Sequence, residues 1–219
     1  MVTESNEMYL LTIYRLTRRQ PVASTTAIAA RLHISRPSVT EQLKRLCEQG
    51  YVNYEWREGA SLTGAGQRVA LAVLRKHRLL ETFLVECFGY GLDEVHQEAC
   101  CLEHQLSERL ADEIEQKLGY PRFDPHGHPI PGKQGELAER DSRPLTAITV
   151  GQPVIVCEIS DADSAPLGYL LKHGVTPGTR LTVVEVMPQQ GPLIVRVQEK
   201  MVALTYALAE EVYVCDCSA

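Results

Sequence analysis

No stretch of this 219-residue sequence approaches the ~20 apolar residues needed to cross a bilayer, and no membrane span is predicted. The start also lacks the charged-then-apolar pattern of an export signal, because Glu4, Glu7 and Tyr14 interrupt it. The seven cysteines are odd in number and follow no small-domain disulfide spacing. A secreted, cross-linked scaffold is thereby excluded. The expectation is a cytoplasmic protein whose cysteines are reduced thiols, inert core residues or metal ligands. Apart from possible metal ligands, no general base or substrate cleft stands out, so no enzymatic activity is expected.

What is present is unevenly spread. Residues 1–80 hold 12 Lys/Arg against 6 Asp/Glu, or +6, while the remainder hold 10 against 22, or −12. A basic first third on a chain of net charge −6 points to a polyanionic partner for that third alone.

The same third has helix-turn-helix spacing. Met8, Leu11 and Ile13 to Leu16 recur at helical period and predict a helix over Ser5 to Arg18. A second helix starts at Ser24 or Thr25, both good caps, and ends before the turn His33-Ile34-Ser35. Ser35 then caps a third helix with Pro37 in its first turn, and Gly50 closes it. On a recognition helix, Arg36, Pro37, Ser38, Thr40 and Glu41 meet base edges, and Lys44 and Arg45 suit phosphates. Tyr51 to Trp56 alternates as a strand, Arg57-Glu58-Gly59 turns, and Ala60 to Thr63 returns as the second strand of a wing. Arg57 at the wing tip is counted with the DNA contacts.

Long helices are predicted next, over Ala65 to Cys87, Leu92 to Leu106 and Ser107 to Leu118. The second carries His96, Cys100, Glu103 and His104. At about 100° per residue these fall within an arc of roughly 100°. Two imidazoles, a thiolate and a carboxylate on one face are ligands for a borderline transition metal. Cys101, one step round, reads as a small buried hydrophobe. His77 and Glu81 share a face of the preceding helix, a spacing also common on plain solvated helices. Tyr120 to Pro144 is rich in Pro and Gly, so His126 and His128 read as part of an extended turn rather than a metal pair. From Leu145 onward five short strands rich in Val, Ile and Leu return, with a helix over Leu167 to His173. The terminal Cys215 and Cys217 read as exposed spare thiols.

Glu7-Met8-Tyr9-Leu10, Arg75 to Glu81, Val95 to His104 and the turn Gly127-His128-Pro129-Ile130-Pro131-Gly132 together resemble the diphtheria toxin repressor family of metal-dependent regulators. This family includes iron-dependent and manganese-transport regulators. The resemblance implies a mainly α fold with a small β domain. Its parts are a winged helix-turn-helix (1–64), a helical dimerization and metal-binding domain (65–121), a linker (122–144) and an SH3-like barrel (145–219). It assigns Met8, Cys100, Glu103 and His104 to a primary metal site and His77, Glu81 and His96 to an ancillary one, two ions per subunit. Pro37 and Ser38 match positions of base contact, and Glu41 stands where a polar amide is usual. In the barrel, Asp163 aligns with one ancillary ligand and Pro166 with another, but proline offers no side-chain donor.

The implied partner is palindromic operator DNA, bound by a homodimer, with two dimers per operator. No membrane or organic substrate is implied. Met8 and Cys100 are soft donors that favour Fe²⁺ over Mn²⁺ in the cell, with Co²⁺, Ni²⁺ or Zn²⁺ binding at least as well in vitro. The competing readings are a Mn²⁺-responsive regulator, a two-metal enzyme, and a winged-helix regulator of an organic ligand with a structural His/Cys cluster.

Overall fold

A computed structural model of the chain describes residues 2–18, 20–160 and 164–217. Three helices come first: α1 (Glu4–Thr17), α2 (Thr25–Leu32) and α3 (Arg36–Glu48). Each is capped by a hydroxyl: Thr3 accepts from the Asn6 N–H, Ser24 from Ala27 and Ser35 from Ser38. A side-chain oxygen there satisfies one of the four amides left over at a helix start. The antiparallel ribbon of β1 (Val52–Glu55) and β2 (Gly59–Leu62) follows, with Glu55 opposite Gly59. Trp56 therefore lies in the turn and not in the strand expected over Tyr51 to Trp56. Ala23 pairs with Ala60 through two backbone hydrogen bonds and fixes the ribbon's stem. Leu10 and Ile13 of α1, Ile28 of α2, Leu43 and Leu46 of α3, and Val52 of β1 are buried together. Each such side chain contributes roughly 1.5–3 kcal/mol of hydrophobic free energy.

Helix α4 (Gly64–Phe88) starts where Thr63 caps the Gly66 N–H. Then come α5 (Val95–Leu102) and α6 (Glu108–Lys117). Helix α5 is shorter than the Leu92–Leu106 helix the sequence predicts. At its start, Glu94 folds back so that its Oε1 accepts from the Gly91 N–H at 2.9 Å, which holds Gly91 to Glu94 as a turn. At its end, Gln105 and Leu106 both donate to the Leu102 carbonyl, so Glu103 to Gln105 form a turn.

The last region is a six-stranded antiparallel sheet in the order β3-β8-β4-β5-β6-β7. Its strands are β3 (Arg143–Pro144), β4 (Pro153–Ile159), β5 (Arg180–Val186), β6 (Leu193–Val197), β7 (Lys200–Leu204) and β8 (Val212–Asp216), with α7 (Ser164–Lys172) and α8 (Tyr206–Glu210). Alternate residues such as Leu181 and Val183, Leu193 and Val195, and Val212 and Val214 form one buried core. Cys157 occupies a register shift between Val156 and Glu158 and is disulfide-bonded to Cys215 on the neighbouring strand, with Cα atoms 6.1 Å apart. The expectation of reduced thiols is corrected at this pair. The bulge supplies the extra residue that turns the Cys157 side chain toward β8.

The chain divides into two compact units that do not follow chain order. One comprises Met1–His77, Leu102–Glu108 and Pro131–Leu137; the other comprises Arg78–Cys101, Arg109–Ile130 and Ala138–Ala219. Among the described residues, no helix is long and apolar enough to cross a membrane.

In the first unit, α4 starts against the ribbon through Gly66, where a Cβ would stand 2.0 Å from the Tyr51 carbonyl oxygen. Gly66→Ala should therefore destabilise this unit by about 1–3 kcal/mol, as overpacking does. A lower urea midpoint at unchanged slope would display it.

Candidate metal centres and nucleic-acid interface

In the first unit, four donors from three elements form a continuous chain of contacts. Glu7 on α1 places Oε2 2.8 Å from His104 Nδ1. His104 Nε2 lies 3.3 Å from Glu103 Oε1, and Glu103 Oε2 lies 2.7 Å from His77 Nδ1 on α4. Glu103 and His77 are 4% and 1% exposed. Met8 follows Glu7 on α1 and is exposed. Helix α5 ends at Leu102, so Glu103 and His104 lie in the turn that follows the helix carrying His96 and Cys100. Only those two keep the predicted one-turn spacing.

In the second unit, Glu81 Oε1 lies 3.1 Å from His96 Nδ1, and His96 Nε2 lies 3.7 Å from Cys100 Sγ. Glu81 and His96 are thus brought together as the family resemblance implies. A residue outside the predicted set joins them: His126 Nδ1 lies 3.8 Å from Glu81 Oε2. His126 Nε2 meets the Leu92 carbonyl at 2.8 Å. A carbonyl only accepts, so Nε2 carries a proton, and in the neutral imidazole Nδ1 is then the nitrogen open to a metal.

The stretch around His126 is a turn, as expected from its Pro and Gly, and it is closed by buried hydrogen bonds. Asp124 Oδ1 accepts from the backbone N–H of His126 and of His128, both at 2.9 Å. Asp124 Oδ2 faces Arg78 Nε at 3.4 Å and His128 Nδ1 at 3.3 Å, and His128 Nε2 lies 3.7 Å from Glu158 Oε1 on β4. Ligand atoms of Asp124, His126 and His128 fall within 4.8 Å of one another, and all three residues are buried. Gly127, at φ +91°, lets the turn sit on β4, since a Cβ there would stand 1.8 Å from the Cys157 carbonyl oxygen. Arg140 donates to that same carbonyl and stacks over Phe123, its centre 3.5 Å from the ring centroid. Burial lowers the Arg140 pKa. The alternation Asp-x-His-x-His was the available signal in the sequence. Glu7, beside Met8, carried none beyond adjacency.

Two cis ligands on one ion, each bonded at about 2.1 Å, stand about 3 Å apart. The Glu7–His104, Glu103–His104 and Glu81–His96 separations of 2.8, 3.3 and 3.1 Å match that spacing. These donor sets fit a divalent transition ion. Asp161 and Asp163 lie outside the described residues. Cys101, expected to be buried, is exposed.

On α3, Arg36, Pro37, Ser38, Glu41, Lys44 and Arg45 are exposed and Thr40 is half-buried. Ser35 and Ser38 hydroxyls share a hydrogen bond at 2.8 Å, Thr40 donates to the Arg36 carbonyl at 3.0 Å, and Arg45 pairs with Glu41. At the wing tip the Arg57 guanidinium lies 4.1 Å above the centroid of the exposed Trp56 ring. Beside it the Glu58 carboxyl is pushed up by a hydrogen bond with the Glu55 side chain, with charge repulsion between the two adding to this.

Removing the Asp124 carboxylate leaves two buried amides without their acceptor, at about 1–3 kcal/mol each. Asp124→Ala should lower the urea unfolding free energy accordingly, and Asp124→Asn, which keeps an amide oxygen, should lower it less.

Family models match most of the chain. The iron dependent repressor N-terminal DNA binding domain matches residues 1–60, its metal binding and dimerisation domain residues 63–132, and the FeoA domain residues 143–215. The iron-dependent repressor IdeR of Mycobacterium tuberculosis is 34% identical over 229 residues, covering 97% of each chain. The diphtheria toxin repressor of Corynebacterium efficiens is 31% identical, covering 97% of this chain and 96% of its own. Among solved structures, a manganese-dependent transcriptional repressor in complex with manganese superposes with TM-score 0.90 at 38% identity, covering 97% of this chain and 100% of its own. The manganese regulator SloR superposes with TM-score 0.81 at 30% identity, covering 97% and 98%. With matching domain models from end to end and these relatives along nearly its whole length, the chain belongs to the diphtheria toxin repressor family of metal-dependent regulators.

Proposed function

We propose that this metal-dependent repressor is activated by Fe²⁺, and that it binds palindromic operators of iron-homeostasis genes as a homodimer in the cytoplasm, two dimers to a site. Each subunit takes two ions. Met8, Cys100, Glu103 and His104 hold the activating ion. His77, Glu81 and His96 hold the ancillary one, with Asp163 as a further oxygen donor. The bound ion supplies a fixed positive charge that draws carboxylate, imidazole and sulfur donors together.

The observation that carries this reading is the Glu7–His104–Glu103 chain. It connects α1, the first helix of the DNA-binding domain, to the turn after α5. A donor set spanning these elements gives metal occupancy a direct hold on α1. Metal then acts by binding one arrangement more tightly than another, and that differential sets the gain in DNA affinity. A thioether and a thiolate in the primary set favour Fe²⁺ over the harder Mn²⁺.

Operator DNA selected by the metal-loaded protein should bind at least tenfold more tightly with Fe²⁺ than without, within the usual range of allosteric coupling. Anaerobic fluorescence anisotropy measures this, and equal affinities would remove the regulator reading. Met8→Ala should weaken activation. Saturation by Mn²⁺ at lower concentration than Fe²⁺ would assign the protein to manganese instead.

A further inference from the structure

One buried polar side chain in the DNA-binding domain has no part in the metal set or the DNA surface. Asn6 on α1 is 7% exposed. Its Nδ2 donates to Gln49 Oε1 at 3.1 Å, and its Oδ1 accepts from Gln42 Nε2 at 2.6 Å. Gln42 lies in the middle of α3 and Gln49 is its C-cap. A single amide therefore grips the recognition helix at two points two turns apart.

The neighbours of Asn6 on the chain face elsewhere. Glu7 meets His104, Gln105 donates to Glu4 at 3.5 Å, and Met8 comes next. Successive residues on a helix are turned by about 100°, so α1 presents one face to the turn after α5 and another to α3. From these contacts we infer that Asn6 is the positioning residue that couples metal occupancy to the recognition helix.

The choice of residue type supports this. A buried amide is costly unless both its donor and acceptor sides are satisfied, and a leucine would pack there without that cost. Two directional bonds do what apolar packing does not: they fix the rotation of α3 about its own axis relative to α1. A displacement of α1 at Glu7 and Met8 is then passed to both glutamines together. Recognition depends on which side chains at the start of α3 face the base edges, so a rotation of α3 changes operator affinity directly.

The inference rests on the metal-dependent operator binding proposed above, and the two fail differently. The quantity to measure is the ratio of operator affinities with and without Fe²⁺ in the full-length protein. A wild-type ratio near one sinks the regulator reading and this inference with it. With a large wild-type ratio, Asn6→Ala should reduce it by about tenfold or more, while Fe²⁺ affinity of the DNA-free protein stays within about threefold. By reciprocity, the tightening of Fe²⁺ binding by operator should shrink by the same factor. Gln49→Ala, at an exposed position, should reduce the ratio in part. The double variant should be no worse than Asn6→Ala alone, since the two share one interaction. An unchanged ratio in Asn6→Ala overturns the inference. So do additive losses in the double variant at equal loss of thermal stability, which mark a structural role only. Should Asn6→Ala fail to fold, Gln49→Ala decides alone: a reduced ratio supports the coupling and a wild-type ratio overturns it.

Discussion

The contact between Glu7 and His104, 97 residues apart in sequence, is the one on which the first unit's logic depends. It closes a long loop between α1 and the turn after α5. Closing a loop of that length costs conformational entropy that a single exposed ion pair, worth about 0–1 kcal/mol, does not offset. The contact persists because it joins a larger set: Glu103 lies between His104 and His77, and the carboxylate is nearly out of water. One α1 residue, Glu7, thus faces His104 in the turn after α5, and its neighbour Asn6 faces the recognition helix.

The second unit repeats the principle with different parts. Glu81 and Asp124 are fully buried carboxylates, each facing imidazoles, and Asp124 also faces Arg78. Replacing such clusters with well-packed apolar residues is often neutral or stabilising. Their make-up of carboxylate and imidazole is that of a ligand set for a divalent transition ion, while Asp124 also holds its turn through two backbone amides. The turn that carries Asp124, His126 and His128 is held in place by backbone bonds to one carboxylate oxygen and by a glycine pressed against β4. The candidate ligand side chains are in this way set by contacts that involve no ion.

The helix-turn-helix was legible because its signals are local: apolar period, a hydroxyl at each cap, Pro37 in the first turn of α3 and Gly50 after it. The strands of the barrel were legible for the same reason, from short Val/Ile/Leu runs between turn residues. Helix α5 was overextended because nothing in the composition of Glu103 to Leu106 forbids helix; the tightening at Leu102 comes from the backbone of the turn itself. Pro125, Gly127 and Pro129 announce the Asp124 turn, but they read as linker and so hide its burial and its hydrogen bonds to Asp124. The Cys157–Cys215 bond was hidden because a bulge, which shifts register by one residue, leaves no mark in composition. Asn6 was invisible for a deeper reason. Its partners lie 36 and 43 residues away, and only the shared core of α1 and α3 brings them to it.

The pairing of Arg45 with Glu41 on the exposed face of α3 has its own effect on how the protein meets DNA. A guanidinium that already holds a carboxylate brings its own counterion to the duplex. If Arg45 were to turn to a phosphate, a cation would still leave the DNA atmosphere, but the freed Glu41 carboxylate would attract one in its place. The entropy of dilution that makes protein–DNA affinity so sensitive to salt is correspondingly reduced at this position. An exposed Glu41 on the recognition helix is also a fixed negative charge that disfavours lodging on a phosphate backbone. The pair thus lowers the general attraction of this helix face to a polyanion.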